Sequence, residues 1–569
     1  MANTENEWEI EEGIPQFGDP FIQQYLKGRD ALVMEERKRR HDANLRKSLS
    51  PIAARAAKIV SQIRSQEQNE VWTNGLDESV AHQVDEILYP GVMFNLAKGR
   101  MEKTKLWKIV EKMPKGSLLH AHMDAMFDIE FLIDQAFSTP GIHMFAPKPL
   151  ITAKDYEAAP VCFRYSTQPL EASEDKPSIW SETYEASSRP PPLSPGGEKG
   201  FREWLTTRCI IAPEHSYHHH HGVDAIWSIF TNTFPIVDSL LMYEPIFRAC
   251  FRRLLGQLAQ DGIRYVEFRI GFVFEFRKEG NDQHEENYFE WCRMVEDGIA
   301  QFKQTDEGKD FYGARIIYTT LRWFTNEKIV DSMKQCIETK QEFPTLISGF
   351  DLVGQEDNGR PLVDLVPVLF WFRKQCAEAG VDIPFFFHAG ECLGDGDATD
   401  HNLFDAILLG TRRIGHGFSL YKHPLLIDLV KEKRILIECC PISNEVLRLA
   451  SSIKSHPLPA LLSRGVPVSL CNDDPAILGH GRNGLTHDFW QALQGLENVD
   501  LIGLSMMAQN SIRWSCYEDQ STADWKAGIQ NGVMGKGLKS DRLRDFGSDF
   551  EKFCEWIVLE FAEFDDGDD

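Results

Sequence analysis

The chain has 569 residues, of which 42% are hydrophobic and 26% are charged, an ordinary composition for a globular protein with a large buried core. Its formal net charge of -25 argues against an electrostatic grip on nucleic acid or on an anionic membrane surface. At about 150 residues per domain this length allows several domains, although one α/β domain with insertions can exceed roughly 400 residues.

Targeting signals are not visible in the sequence. The first thirty residues contain neither an apolar core nor a basic lead, so we predict no secretory signal. No run approaches the roughly 18 apolar residues of a transmembrane helix. The twelve cysteines are scattered without a CxxC pair, and no Asn-x-Ser/Thr sequon occurs, which favours free thiols in a reducing compartment. We therefore expect a cytoplasmic protein that binds neither a membrane nor nucleic acid.

Residues 1–115 are mostly polar and helix-prone, and we predict that they form a helical amino-terminal arm. Within the arm, residues 50–66 carry apolar side chains at helical spacing, among them Ala56, Ile59 and Ile63. Such a surface either covers the main domain as a collar or pairs with a second copy to form a homodimer. The sequence leaves both arrangements open.

Two other segments fall outside the predicted core. Residues 140–222 are expected to form an irregular insertion, because residues 145–200 are rich in Pro, Ser and Glu. The histidine run 218–221 lies in this polar region without a carboxylate or cysteine partner, and we expect it to be structurally idle. Residues 516–569 are expected to form a carboxy-terminal helical segment that ends in an acidic tail.

Strand-like apolar runs alternate with helical patterns through the rest of the chain. There are eight, at residues 117–122, 264–270, 314–320, 346–352, 383–388, 412–416, 434–439 and 466–472. Eight strands that alternate with helices predict a (β/α)8 barrel, here over residues 116–515. Active sites in that fold lie at the carboxyl ends of the strands.

Metal-competent side chains occupy several of those strand ends. His120 and His122 are two residues apart on the first strand and therefore share a face. His388 ends the fifth strand, and Asp473 follows the eighth. A lone histidine is more often a satisfied core group than a ligand, but three imidazoles and a carboxylate at one barrel mouth predict a single zinc ion. Zinc would lower the pKa of a bound water to about 7.

Three neighbouring residues are candidates for proton transfer and substrate binding. Glu391 faces a largely apolar site, where its pKa would rise and keep it protonated as a donor. His416 could orient the attacking water or act as an electrostatic or basic group. Asp474 could accept a hydrogen bond from the substrate or, alternatively, support a ligand histidine. Residues 351–356, at the end of the fourth strand, contain no lysine that could bridge two metals, so a mononuclear site is expected.

The sequence resembles the adenosine/AMP deaminase family, and more narrowly its adenosine deaminase-related growth factor branch, the adenosine deaminase 2 type. The long arm and the insertion after the first strand point to that branch. The resemblance covers residues ~115–480 and rests on six motifs: His120-Ala121-His122-Met123-Asp124, Gly349-Phe350-Asp351-Leu352-Val353-Gly354, His388-Ala389-Gly390-Glu391, Arg413-Ile414-Gly415-His416-Gly417, Cys440-Pro441-Ile442-Ser443-Asn444 and Asn472-Asp473-Asp474-Pro475.

The resemblance implies zinc-dependent deamination of adenosine and 2′-deoxyadenosine to the inosine compounds and ammonia. It implies that Glu391 protonates a purine ring nitrogen, that His416 assists the attacking hydroxide, and that Asp474 and the Gly354 backbone hold the purine. It further implies that Asp124 contacts the ribose. Animal members of the branch are secreted, so secretion is the alternative to a cytoplasmic location.

Several alternatives stay open at this point. Trp227 resembles an aromatic residue that lies over the sugar, but a plain helix-face core residue would look the same. AMP is the main rival substrate; a phosphate would need Arg or Lys near the ribose, and the loop after the first strand offers only Lys148 and Lys154 before its Pro-rich tract. The barrel could also be catalytically retired and serve as a protein-binding, growth-factor-like module.

Overall fold

The computed structural model describes residues 14–72, 89–145, 160–167, 197–217, 221–482 and 484–565. Those residues contain ten strands: β1 Gly116–His122, β2 Ile142–Phe145, β3 Cys162–Tyr165, β4 Ile263–Gly271, β5 Gly313–Leu321, β6 Ile347–Val353, β7 His388–Ala389, β8 Arg413–His416, β9 Leu436–Cys439 and β10 Val468–Leu470. Eight of the ten are parallel and form two four-stranded sheets, in the orders β1-β4-β5-β6 and β10-β9-β8-β7.

Two parallel bridges close these sheets into a ring. Ala121 pairs with Asp473 at one seam, and Phe350 pairs with Phe385 at the other. At the first seam, the His122 amide donates to the Asp473 carbonyl at 2.9 Å. The predicted (β/α)8 barrel is therefore confirmed. The fifth predicted strand is shorter than expected, since it forms only the bridge at Phe385 and the two-residue strand β7.

Twenty-two α-helices are found in the described residues: α1 Pro20–Arg37, α2 Ala43–Lys47, α3 Pro51–Glu70, α4 Phe94–Met101, α5 Lys105–Lys112, α6 Ile129–Ser138, α7 Gly197–Arg208, α8 Pro213–Tyr217, α9 Gly222–Thr231, α10 Phe234–Leu241, α11 Glu244–Gln260, α12 Phe289–Phe302, α13 Asn326–Glu342, α14 Leu362–Ala379, α15 Asn402–Leu408, α16 Pro424–Lys433, α17 Pro441–Val446, α18 Leu458–Ser463, α19 Gly484–Gly495, α20 Leu501–Arg513, α21 Thr522–Asn531 and α22 Leu538–Glu560. None of them is long and apolar enough to cross a membrane.

The inside of the barrel contains a buried network of ion pairs. Arg413 bonds Glu267 at 2.8 Å and Glu438 at 2.5 Å, while Arg269 bonds Glu438 at 2.7 Å and Asp351 at 2.9 Å. All five side chains are fully buried. Buried charges need partners of this kind, because an unpaired ion inside a protein is very costly. The network lies on β4, β6, β8 and β9, which neighbour the strands that carry or precede the predicted metal ligands.

The amino-terminal arm is helical, and its helices differ in how they pack. Helix α3 begins where the Ser50 hydroxyl accepts a hydrogen bond from the Ala53 amide at 3.0 Å, which caps its first turn. Its apolar face is buried, and it packs against α22 and α20 as a collar. Helix α1, by contrast, has no buried residue.

The insertion, predicted to be irregular over residues 140–222, is partly ordered. Strands β2 and β3 pair antiparallel, and helices α7 and α8 follow. The strands form because Ile142, Met144 and Phe163 alternate with polar residues and bury their side chains against the body of the protein, with β3 packed on α10. Residues 146–159, 168–196 and 218–220, which include most of the histidine run, lie outside the described residues. So does the acidic tail beyond residue 565.

Candidate metal centre and active site

The four predicted metal ligands meet at one end of the barrel. His120 and His122 lie on β1, His388 lies on β7, and Asp473 follows β10. Each offers one ligand atom, and these four atoms lie within 4.8 Å of one another. Asp473 Oδ1 is 3.1 Å from His120 Nε2 and 3.4 Å from His122 Nε2. His416 and Cys440 form an overlapping group with His120 and Asp473.

The chemistry of these atoms fits a bound cation. His120 Nε2 and Asp473 Oδ1 are both buried, and neither has a hydrogen-bond partner among the described residues. Burial lowers the pKa of His122 and of His388, so both imidazoles are neutral near pH 7 and keep a lone pair for a metal. Buried electron-pair donors that converge in this way are stabilised by a positive charge in their midst. Three imidazole nitrogens and one carboxylate oxygen are a donor set that suits zinc.

Carboxylates behind the histidines fix which ring nitrogen faces the site. His120 Nδ1 donates to Glu438 at 2.9 Å, and His388 Nδ1 donates to Asp351 at 2.7 Å. Arg269 bonds both carboxylates and holds them in place. Each histidine therefore turns an unprotonated Nε2 toward the site. Sequence reasoning missed Glu438 and Arg269; the available signal was a charged residue inside an otherwise apolar strand.

The Asp473 carboxylate is oriented by side-chain and backbone contacts. Ser443 Oγ donates to Oδ2 at 2.7 Å, which leaves Oδ1 for a metal. The backbone of Asp473 has φ +59° and that of His416 has φ +61°, a left-handed conformation that is uncommon for residues other than glycine. Backbone strain of this kind concentrates at functional sites. At Asp473 it is maintained because the amide bonds the His120 carbonyl at 3.2 Å.

Glu391 presents a buried carboxyl group beside the predicted metal ligands. Its Oε1 is buried, lacks a hydrogen-bond partner among the described residues, and lies 3.6 Å from His416 Nδ1. Burial raises the pKa of Glu391 well above its usual value, and the charges of Asp473 and Glu356 add to the rise. The turn that carries it is anchored by Glu356, which accepts from the amides of Gly390 at 3.2 Å and Glu391 at 2.9 Å. The raised pKa favours the protonated form of Glu391, which is the form that the predicted proton donor needs.

His416 is held in one tautomer by a chain of hydrogen bonds. Asn444 Nδ2 lies 3.2 Å from His416 Nδ1, and Asn444 Oδ1 lies 3.1 Å from His456 Nε2. Since the amide nitrogen donates, His416 Nδ1 accepts, and its proton sits on Nε2, 3.7 Å from Asp473 Oδ2. Burial lowers the pKa of His416 well below its usual value, so the ring is neutral. This arrangement favours a role for His416 as a hydrogen-bond donor that orients a water molecule, rather than a role as a general base.

Two further carboxyl groups predicted to contact the substrate have unfilled acceptor atoms. Asp474 Oδ1 and Asp124 Oδ1 are buried without a hydrogen-bond partner among the described residues. Burial raises the pKa of Asp474 well above its usual value, and the neighbouring Asp473 contributes. Burial also raises the pKa of Asp124 to about 7. Both carboxyl groups can therefore form a hydrogen bond with a polar ligand.

Gly354 and Trp227 have features that do not depend on a substrate. Gly354 follows β6 with φ +102°, and a side chain there would overlap the ring of Trp323, so glycine is required on steric grounds. Trp227 is buried on α9 with its ring edge-on to Phe230 at 5.1 Å. The contacts of Gly354 with the purine and of Trp227 with the sugar stay predictions.

A parallel α/β barrel that gathers three histidines and an aspartate at one mouth defines the class of metal-dependent hydrolases. The family model described as adenosine deaminase matches residues 214–533. Human adenosine deaminase 2 is 32% identical over 432 residues, which cover 75% of this chain and 79% of that protein. The pig protein of the same name is 33% identical over 437 residues, covering 76% and 81%. The chain belongs to the adenosine deaminase family, in its adenosine deaminase 2 branch.

More distant relatives were also found. Adenosine deaminase 2 of Dictyostelium discoideum is 29% identical over 510 residues, which cover 88% of this chain and 85% of that protein. Among solved structures, the adenine deaminase of Arthrobacter aurescens matches with a TM-score of 0.46 and 18% identity, over 76% of this chain and 99% of that one. At that TM-score the structural likeness adds nothing to the sequence relationship.

Proposed function

We propose that the protein is a zinc-dependent adenosine deaminase, which hydrolyses adenosine and 2′-deoxyadenosine to inosine and 2′-deoxyinosine with release of ammonia. The observation that carries the proposal is the buried, unpartnered carboxyl of Glu391 beside four converging metal ligands. A proton donor next to a Lewis-acid site is what hydrolytic loss of an amino group needs. Membership of the adenosine deaminase family supports the substrate class.

Zinc held by the four ligands supplies a Lewis acid that lowers the pKa of a water to about 7, so that a nucleophile is available at neutral pH. Glu391 donates its proton to the purine ring nitrogen beside the amino-bearing carbon, and that carbon becomes more electrophilic. The oxygen of the water bonds to that carbon, one of its two protons restores the acid form of Glu391, and the other passes to the amino group, which leaves as ammonia when the carbon–nitrogen bond breaks. The closed, buried position of Glu391 keeps its proton from bulk water.

His416 and Asp474 position the reacting groups. The Nε2–H of His416 donates a hydrogen bond to the incoming water and fixes its direction of approach. Asp474 offers its unpartnered oxygen to the purine ring. Holding reactants in register in this way contributes a large part of an enzymatic rate.

An ultraviolet assay for adenosine consumption tests the proposal directly. The purified protein should convert adenosine to inosine, lose activity after treatment with a chelator, and regain it when zinc is added back. Elemental analysis should find one zinc per chain. A folded native protein that carries no metal and has no activity would instead support the retired-barrel alternative.

AMP is the second candidate substrate, and a comparison of its turnover with that of adenosine decides between them. The unfilled oxygens of Asp124 and Asp474 beside the metal centre suit the hydroxyl and amino groups of a nucleoside. A phosphate is bound in most proteins by Arg, Lys or a helix amino terminus, and the relatives named adenosine deaminase 2 also favour the nucleoside.

The amino-terminal arm is proposed to pair with a second copy of the chain. Phe21, Tyr25 and Leu32 lie on one stripe of α1, continued by Phe17 just before the helix, and all four side chains are exposed. No described residue of the chain covers this stripe, and exposed apolar surfaces of this kind mark interaction sites. Helices α3 and α5 bury their apolar faces against the body of the protein, so α1 is the helix of the described arm that we propose for pairing. All twelve cysteines are free, which supports a reducing, cytoplasmic setting.

A further inference from the structure

Arg322 is a buried cation that the proposed chemistry leaves unused. It directly follows β5, and its side chain is fully buried. Its Nη2 donates to the Leu352 carbonyl at 3.2 Å and to the His388 carbonyl at 3.1 Å. Leu352 belongs to β6 and His388 to β7, the two strands that the Phe350–Phe385 bridge joins. The guanidinium therefore holds the backbone of a predicted metal ligand from the end of a third strand.

Glu356 supplies the opposite charge for Arg322. It follows β6, is also fully buried, and places Oε2 3.7 Å from Arg322 Nη1. In the part of the chain that the structure describes, no other carboxylate lies within 4 Å of this guanidinium, and its Nε and Nη1 have no hydrogen-bond partner. The loop packs closely on the pair, since a side chain at Gly359 would overlap the stem of Arg322. Because an unpaired buried charge is costly, the two groups stay together in the folded protein.

The turn at residues 388–391 is anchored at both of its ends by this pair. Arg322 binds the carbonyl of His388, where the turn begins. Glu356 accepts hydrogen bonds from the amides of Gly390 and Glu391, where the turn ends. Glu356 is itself fixed by Asn402, whose Nδ2 donates to Oε2 at 2.7 Å. The positions of Arg322 and Glu356 therefore set the direction in which the turn presents the Glu391 side chain.

We propose that Arg322 is a positioning residue for the proposed reaction, which places the carboxyl of Glu391 against the substrate by holding both ends of its turn. This inference rests on the proposed deamination of nucleosides, in which Glu391 is the proton donor. Arg322 transfers no proton itself and acts through His388 and Glu356. A misplacement of reacting groups by about 1 Å can lower an enzymatic rate by about 10²-fold. Loss of Arg322 should therefore act on the chemical step more than on the binding of adenosine.

The first test compares the zinc-loaded wild type with Arg322→Lys. A lysine keeps the positive charge but lacks the planar fork that reaches two carbonyls and Glu356 at once. We expect kcat for adenosine to fall about 10²-fold, with KM within about threefold of the wild type and one zinc still bound per chain. Glu356→Gln keeps the shape of the side chain but not its charge, and it should lower kcat in the same way. An unchanged kcat in both variants would overturn the inference.

Arg360→Lys is the matched control. The Arg360 guanidinium also donates to a backbone carbonyl in this region, that of Phe324 at 3.0 Å, but none of its hydrogen bonds in the described residues reaches Glu356 or the turn at residues 388–391. This variant should keep the kcat of the wild type. A fall in kcat as large as that of Arg322→Lys would contradict the specific role given to Arg322.

A double-mutant cycle separates positioning from a general structural role. In the Glu391→Gln background the proton donor is already absent, so Arg322→Lys should lower the residual kcat by less than about threefold. A fall of about 10²-fold in both backgrounds would overturn the inference, because loss of folded structure or of metal acts independently of Glu391. If the wild type does not deaminate adenosine at all, the proposed function fails and takes this inference with it; an active wild type with additive losses overturns the inference alone.

Discussion

Asp351 Oδ2 accepts a hydrogen bond from His388 Nδ1 at 2.7 Å, and Arg269 Nε donates to the same oxygen at 2.9 Å. The contacts with His388 and Arg269 lower the pKa of Asp351, although its burial opposes this. The carboxylate thus stays ionised inside the barrel. Its negative charge makes His388 a stronger electron-pair donor toward a metal.

Replacing Asp351 with Asn should weaken zinc binding about 10- to 100-fold, because the amide cannot match the charge behind His388. Competition with a chromogenic chelator measures the affinity, and thermal unfolding reports any loss of stability. Asp261→Asn is a matched control: Asp261 is buried and paired with Lys115 at 3.6 Å, and it does not contact the ligands. Equal zinc affinity in both variants would contradict the role given to Asp351.

Glu391→Gln should keep one zinc per chain and lose turnover by a factor of about 10²–10⁴. Glutamine has the same shape but no acidic proton for the purine ring nitrogen. Zinc content by elemental analysis and kcat for adenosine are the two measurements. Turnover near that of the wild type would remove Glu391 from its role as proton donor.

Glu445 should make the protein less stable as the pH rises. Its carboxyl accepts a hydrogen bond from the Phe94 amide, and burial raises its pKa from the usual 4.5 to about 8. Between these two values the folded state keeps a proton that the unfolded chain has lost, so stability is fully present below pH 4.5 and is lost as the pH rises through 8.

Urea unfolding at several pH values measures this effect. Glu445→Gln should flatten the decline, because the neutral amide does not titrate. The remaining decline should include a contribution from Glu67, whose pKa burial raises to about 7. A variant with the same pH dependence as the wild type would show that Glu445 titrates normally in the folded state.

Disrupting the apolar stripe on α1 should convert a dimer into a monomer. The double change Phe21→Glu and Tyr25→Glu places two charges on the exposed stripe, while adenosine turnover should stay within about twofold because α1 does not contribute to the site. Light scattering after size-exclusion chromatography gives the mass. Leu425→Glu, an exposed leucine elsewhere on the body, should leave the mass unchanged. A monomeric wild type would refute the pairing.

The sequence was sufficient for the barrel and for the convergence of its four ligands. Strand and helix periodicities were clear, and each ligand stands at the end of an apolar run, so the fold itself brings them together. Once the barrel was predicted, the convergence of the three histidines and Asp473 followed without further information. The fifth and eighth strands are shorter than predicted, because the ladder pairs only two residues of the fifth apolar run and three of the eighth.

The supporting network could not be predicted in the same way. Arg269 and Glu438 are 169 positions apart in the chain, and neither carries a local pattern that names the other as its partner. Their pairing follows from the closed ring of strands and becomes visible only in three dimensions. The β2–β3 hairpin was missed for a different reason: its strands have four residues each and lie among Pro- and Ser-rich sequence, where composition predicts a loop.

The two sheets of the barrel divide the ligands evenly. His120 and His122 lie on the sheet that begins with β1, whereas His388 lies on β7 and Asp473 follows β10 in the other sheet. Among the described residues, the single-residue bridges Ala121–Asp473 and Phe350–Phe385 join the two sheets. A cation bound at this point would therefore link the two sheets where few backbone hydrogen bonds connect them. Binding of the ion should therefore stabilise the whole barrel, and we expect the resistance of the folded chain to proteolysis to increase with metal occupancy.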